Sequence, residues 1–389
     1  MAYINFKEER YALSNQIKNR NLNNASLCNK LRKKSDEIYT DIDELYKFRE
    51  ISDVVFENHN IHKEQYEVVT NTYVNVIFRN CKFYNVKFVK SKFIGCKFIG
   101  CILNDIIFED CVFIEEKIEN MSILNKVDNL SCSFYKCEIY AKFVKCDLSL
   151  CLFETCEIIN TNIEQTNCKK IIIHKSEIDN VRIKDCNLSG FKTLETYIED
   201  FYFEDNGLTK LDEKTFFDVI KFKNHTNKEY IQIYKTYKII ASKFCENGMS
   251  NRFGEYYYIS RKIQRKSISG FKKFWSYIQW AVCGYGERPL NCVYTSIILI
   301  VVYALLYLLA GAEIHGEIIT YTSLYEMSLE ESFYHINQAF NLSVGMFCGV
   351  GYNDVSLTEV STLISSLEML TGVVMTGLGI GTLIRKVVR

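Results

Sequence analysis

The chain has 389 residues, with 47 Lys and Arg against 47 Asp and Glu, so its formal net charge is zero. That length accommodates two or three domains. The charge balance persists across residues 78–188, with 16 Lys and Arg against 15 Asp and Glu, which excludes both an acidic rod and a basic nucleic-acid groove there.

Residues 1–70 are charged and partly helical in pattern, and they contain no ligand motif. The opening MAYINFKEERYALS lacks the apolar core of an export signal, so this N-terminal region is expected in the cytoplasm.

From about residue 71 to 193 a five-residue period takes over. Large apolar residues recur at Phe78, Phe83, Phe88, Phe93, Phe98, Leu103, Phe108 and Phe113. After a weak patch around residues 118–130 the series resumes at Phe134 and Ile139, slips by one residue, and runs from Phe143 to Leu188. Two positions before each large residue stands a small one. Ten of the 16 cysteines fill that place: Cys81, Cys96, Cys101, Cys111, Cys132, Cys137, Cys146, Cys151, Cys156 and Cys186. A period of five fits neither a helix nor a flat strand. It fits a square coil with one five-residue side per face, in which the large and small residues point inward and successive coils pair about 4.8 Å apart. Thiols in that place act as small hydrophobes rather than as zinc ligands, which need convergent spacing.

This ladder resembles the pentapeptide-repeat family, whose unit of a small residue, Asp or Asn, then Leu or Phe is kept by Asp147-Leu148 and Asn187-Leu188. The resemblance implies a right-handed quadrilateral β-helix serving as a spacer, assembly platform or sensor arm. A cytoplasmic partner or ligand for it is expected, and nucleic acid is not.

Residues 194–268 read as a cytoplasmic helical linker, with two or three amphipathic helices between 211 and 268. Residues 269–288 read as an interfacial helix at the headgroup level, since Phe271, Phe274, Trp275, Ile278 and Trp280 alternate with Lys272 and Lys273. The Gly-Tyr-Gly at 284–286 is read as a turn beside the only proline, Pro289.

Residues 289–389 form the membrane part. Asn291 to Ala312 contains no charged residue, and Val360 to Ile384 contains one, Glu368. Each run is long enough to cross ~30 Å of hydrocarbon. Basic residues precede the first run (Arg261 to Arg288) and follow the second (Arg385, Lys386, Arg389), whereas the loop between them has acids and no Lys or Arg. The positive-inside rule then puts both termini in the cytoplasm and the protein in the cell membrane as a two-span chain in contact with lipid. Ser332 to Phe347 is too short and polar to cross and suits a re-entrant half-helix. His335 within it reads as a helix-start residue.

Span, half-helix, Gly349-Val350-Gly351-Tyr352-Asn353-Asp354, span: this order resembles the two-span potassium-channel pore family. The resemblance implies an all-α pore domain that closes as a homotetramer, with K⁺ held by the backbone carbonyls of Gly349, Val350, Gly351 and Tyr352. It also implies that Gly351 turns its carbonyl to the axis while Val350 and Tyr352 pack back on the half-helix. Gly349 stands where the family has Thr, and Asn353 where it has Gly, so weaker rejection of Na⁺ is expected. Gly372 matches the family's gating bend. Glu368 either hydrogen-bonds the back of the pore helix or faces the ion path. No nucleophile–base set or metal spacing points to an enzyme, and no cofactor is expected beyond permeant K⁺. Two rivals to the selective channel stand beside it: a weakly selective monovalent cation channel, and a non-conducting membrane-anchored pentapeptide-repeat scaffold.

Overall fold

The computed structural model describes residues 3–33, 39–57, 66–115, 129–205, 207–314, 316–320, 329–352 and 355–388. The chain divides into two compact units, Met1–Ser267 and Ile268–Arg389.

The first unit is a four-sided, pentapeptide-repeat-like β-solenoid. Parallel partners lie one coil of twenty residues apart, as in Ile77↔Lys97 and Phe78↔Phe98, which is four sides of five. One side is the ladder Glu50–Ser52, Ile77–Arg79, Lys97–Ile99, Ser133–Tyr135, Leu152–Glu154, Ile172–His174 and Lys192–Leu194. Two further sides merge in a ten-stranded sheet, and single bridges such as Val112↔Asp147 and Asn167↔Asn187 mark the fourth. Inside, the rings stack coil on coil: Phe78 on Phe98 at 4.9 Å, Phe98 on Phe134 at 4.7 Å and Phe134 on Phe153 at 4.6 Å. Such offset pairs add to the burial energy of the rings.

Each corner is a residue with positive φ. Asn75, Asn80, Asn85, Lys90, Gly95, Gly100, Asp105 and Asp110 take this conformation every fifth position. Asn, Asp and Gly tolerate it best, so the second place after each large residue carries the turn. The slip after Ile139 is one missing corner. Asn104 pairs with Tyr140 and Ile106 with Ala141, leaving Asp105 opposite nothing. Ile114–Glu115 and Leu130–Ser131, on either side of the weak patch, form an antiparallel pair, and residues 116–128 lie outside the described residues.

The small inward slot has a chemistry of its own. Cys101 Sγ lies 3.3 Å from the Phe78 carbonyl one coil away and 3.7 Å from that of Ile99. Thr166 Oγ1 occupies the same slot and donates to the Glu164 carbonyl at 2.8 Å. Cys, Ser or Thr in the slot can donate to these carbonyls, whereas Val76, Val86, Ile106 and Ala141 fill it by packing alone. Burial pushes the Cys132 thiol well up from its ordinary pKa, which keeps that sulfur protonated at neutral pH. Changing Cys96, Cys101, Cys146 and Cys151 together to alanine should leave the solenoid folded, at roughly 1 kcal/mol or less each. Thermal unfolding followed by far-UV circular dichroism checks this. Loss of the β signal at room temperature would overturn the filler role.

The solenoid is longer than the period predicts. Glu50–Ser52 and Val55–Glu57 already pair with later coils, and Phe216 still bridges to Lys192. Residues 211–222, expected to be helical, instead continue the last coil, with Leu211, Phe216, Phe217 and Ile220 buried. Two helices follow, α2 (Asn227–Glu246) and α3 (Ser250–Ser267). They cap the open end rather than merely link domains. Tyr256 Oη accepts from the Phe217 N–H at 2.8 Å and lies 3.0 Å from its carbonyl oxygen, while Tyr237 Oη accepts from the Ile220 N–H at 2.7 Å. Backbone groups that a further coil would satisfy are thus paired. Helix α1 (Phe6–Arg32) lies along the outside. Its Leu13 and Ile17 pack on Leu152, Ile172, Leu194 and Phe216, and its Leu27 and Leu31 on Val74, Ile94 and Leu130.

The second unit contains α4 (Gly270–Cys283), α5 (Pro289–Ala310), α6 (Leu329–Phe347) and α7 (Glu359–Val388). Helices α5 and α7 are long and apolar enough to cross a membrane. A small antiparallel sheet joins Ala312–Ile314 to Glu317–Ile319 and Val355–Leu357.

Candidate functional site

Helix α6 lies against α5 and α7, which supply the walls of its socket. It is three residues longer at its start than the sequence pattern predicts, so His335 lies within it rather than at its beginning, and is buried. The contact with the two long helices is apolar around Tyr307, Leu308, Ala339, Leu342 and Met346. Polar groups punctuate it. Glu368, on α7, is fully buried and accepts from Tyr307 Oη of α5 at 2.7 Å. Ser343 Oγ of α6 sits between Glu368 Oε1 and the Ile300 carbonyl oxygen, the latter 2.8 Å away. One carboxyl group thus joins all three helices. Its two oxygens face α5 and α6.

Gly372 lies one turn further along α7. A Cβ there would come within 1.9 Å of the Phe347 carbonyl oxygen, so only glycine admits the last turn of α6 at this depth. Helix α7 runs without interruption from Glu359 to Val388. Gly372 is a helix-to-helix seat within it.

After Phe347 the chain folds back on the helix it has just left. The N–H groups of Val350 and Gly351 both donate to the Gly345 carbonyl, at 3.0 and 3.1 Å. Gly349 and Gly351 have φ of 72° and 78°, conformations that favour glycine. Tyr352 Oη donates to Gln338 Oε1 of α6 at 2.8 Å, which ties the loop to the helix. Two expectations fail within a single chain. Val350 does not pack on α6, and its side chain is 84% exposed. The Gly351 carbonyl is turned onto α6, where a Cβ at Gly345 would meet its oxygen at 2.4 Å. The physical reason is the missing side chain at Gly345, which leaves room for that carbonyl. Asn353 and Asp354 lie outside the described residues.

The pattern reading passed over Gly345, Ser343 and Tyr307. A glycine inside an apolar-periodic helix is itself the signal for the first, since it weakens the helix unless something approaches closely. Among the described residues no group of His, Cys, Asp or Glu could hold a metal ion.

No family model matches the chain, and no curated protein matches it. Among solved structures it is similar to a trypsin-treated form of QnrB1, a plasmid-mediated fluoroquinolone resistance protein. That match has 16% identity, covers 48% of this chain and 96% of that one, and has a TM-score of 0.19. It is also similar to HetL, a pentapeptide repeat protein involved in heterocyst differentiation regulation from the cyanobacterium Nostoc sp. There the identity is 8%, the coverage 43% of this chain and 86% of that one, and the TM-score 0.13. At these scores the likeness carries no weight, and the solenoid is identified by its own five-residue sides. The chain is a pentapeptide-repeat-like β-solenoid joined to a helical unit with two candidate membrane-spanning helices.

Proposed function

We propose that this chain is a membrane-anchored solenoid whose helical unit assembles as a homotetramer into a weakly selective pore for monovalent cations, K⁺ among them. One observation carries the reading: a 19-residue helix seated against two apolar helices and followed by a glycine-bearing loop hydrogen-bonded to its own last turn. Irregular backbone at membrane depth is tolerated where protein buries it or where it lines a cavity. A ring of such loops offers carbonyl oxygens to a dehydrated cation. Lipid and neighbouring copies would cover the apolar residues that one chain leaves exposed on α5 and α7, such as Ile298, Leu305, Leu370 and Val373. Both termini, with the solenoid, lie on the cytoplasmic side in this reading because the basic residues flank the inner ends. Gly349 brings a carbonyl but no hydroxyl to its layer, so rejection of Na⁺ is weaker than in a complete filter.

The orientation of the Gly351 carbonyl and the outward Val350 side chain favour a second reading, a non-conducting anchored scaffold. Purified full-length protein in vesicles under a K⁺/Na⁺ gradient separates the two. The pore reading expects a reversal potential on the K⁺ side of zero with measurable Na⁺ entry. Gly351→Ala should abolish flux without changing the oligomer's size, because an added Cβ costs about 1–2 kcal/mol at that φ in every copy. Flux that survives Gly351→Ala means the loop is not the filter, and wild-type vesicles without flux leave the scaffold.

A further inference from the structure

The Gly-Tyr-Gly at 284–286 forms the corner between α4 and α5. Its three residues have successive φ values of 52°, 57° and 83°, a sharp reversal in which the middle residue is not glycine. Packing holds it there, since Tyr285 is buried and its Oη lies 2.9 Å from Ser276 Oγ on α4. Pro289 then starts α5 in the first-turn position that suits proline.

This corner presents Glu287 to the last turns of α7. Glu287 is 1% exposed, and its two carboxylate oxygens lie 2.9 Å from Arg385 Nη2 and 4.0 Å from Lys386 Nζ. Gly286 admits the arginine, because a Cβ there would lie 2.9 Å from Arg385 Nη1. One turn inward the same two helices touch again, with Cys292 Sγ 3.7 Å from Thr382 Oγ1. A buried carboxylate facing two cations loses so much hydration that its net stabilisation is small, yet breaking it from one side is costly. Such a group fixes position more than it adds stability.

We propose that Glu287 is a latch that ties the inner end of α7 to the α4–α5 corner. Only residues 268 and 269 separate α3, the last helix of the solenoid unit, from α4. A pull on α4 is carried through the locked corner to Glu287, and through its ion pairs to α7. The tie itself stands on the geometry of the second unit; only its effect on flux rests on the pore reading.

The test uses the full chain in vesicles, with Cys245, Cys283 and Cys348 changed to serine. Spin labels are placed at L290C and V387C, two exposed positions on either side of the latch, and labelled chain is diluted with unlabelled chain. The latched protein should give one narrow distance. Glu287→Gln and Arg385→Gln, which remove the pair from opposite sides, should each raise the separated population about tenfold. Glu287→Lys with both Arg385→Glu and Lys386→Glu, which reverses every charge of the latch, should restore the narrow distance. Unchanged distances in both single variants overturn the latch, even if flux changes. Changed distances with rescue, but no flux from any variant, support the latch and remove the pore reading. Changed distances without rescue by the charge swap also overturn the proposal, because the effect would then be packing rather than pairing.

Discussion

Gly372→Ala should destabilise the helical unit by roughly 3 kcal/mol, near the upper end of what overpacking a buried contact costs. The added methyl would stand 1.9 Å from the Phe347 carbonyl oxygen, and backbone cannot rotate out of its way as a side-chain tip can. Either α7 must withdraw from α6 or the last turn of α6 must unwind. The second outcome would reach the loop, because its N–H groups hang from Gly345 in the turn before. Gly377→Ala is the matched control: a Cβ there meets nothing, and alanine improves helix propensity by up to about 1 kcal/mol. Both tryptophans of the chain, Trp275 and Trp280, belong to the second unit, so thermal unfolding followed by tryptophan fluorescence in detergent reports on that unit alone. Equal midpoints for the two variants would show that Gly372 is not a seat.

The parts of this molecule differ in how plainly the sequence announces them. The solenoid is legible because each side repeats one rule many times, so a few exceptions do not hide it. Cys168 is such an exception, a thiol in the place that the neighbouring coils give to Leu148 and Leu188, and it lines a small cavity of about 30 Å³ with them. The corners are legible mainly in the first coils, from Asn, Asp or Gly at 75, 80, 85, 95, 100, 105 and 110, because later corners include Lys136, Leu150, Thr155 and Gln165.

Helix α1 is hard to place for the opposite reason. Its buried residues Leu13, Ile17, Asn24, Leu27, Cys28 and Leu31 make a sparse stripe that includes an amide, and what it covers is spread along the chain from Val74 to Phe216. Asn24 Nδ2 donates to the Ser131 carbonyl at 3.2 Å, a partner that no local pattern encodes. Residues 211–222 mislead because a short apolar run fits strand and helix alike. In the second unit the helices follow from apolar length. The seats at Gly345 and Gly372 depend on which backbone approaches them, and spacing within one helix does not contain that information.

Glu368→Leu should be the most damaging single change behind α6, lowering stability by roughly 2–4 kcal/mol. Leucine fills a similar volume, so the cost comes from what it abandons. Tyr307 Oη loses its acceptor in an apolar contact, whereas Ser343 keeps the Ile300 carbonyl at 2.8 Å. Polar pairs between membrane helices average only about 0.6 kcal/mol because the separated helices find other partners. A site that joins three helices through one side chain should exceed that average. Glu368→Gln retains a carbonyl oxygen for Tyr307 and should cost about half as much. The decisive variant is the double one. If Tyr307's hydroxyl is the orphan, Tyr307→Phe with Glu368→Leu should recover at least about 1 kcal/mol relative to Glu368→Leu alone, since removing both partners of a buried hydrogen bond is nearly neutral. Tryptophan-monitored melting of the four proteins gives the cycle directly. Strict additivity would mean that the carboxylate supports α6 through some contact other than Tyr307. A Glu368→Leu protein as stable as the parent would remove Glu368 from the architecture of the site altogether.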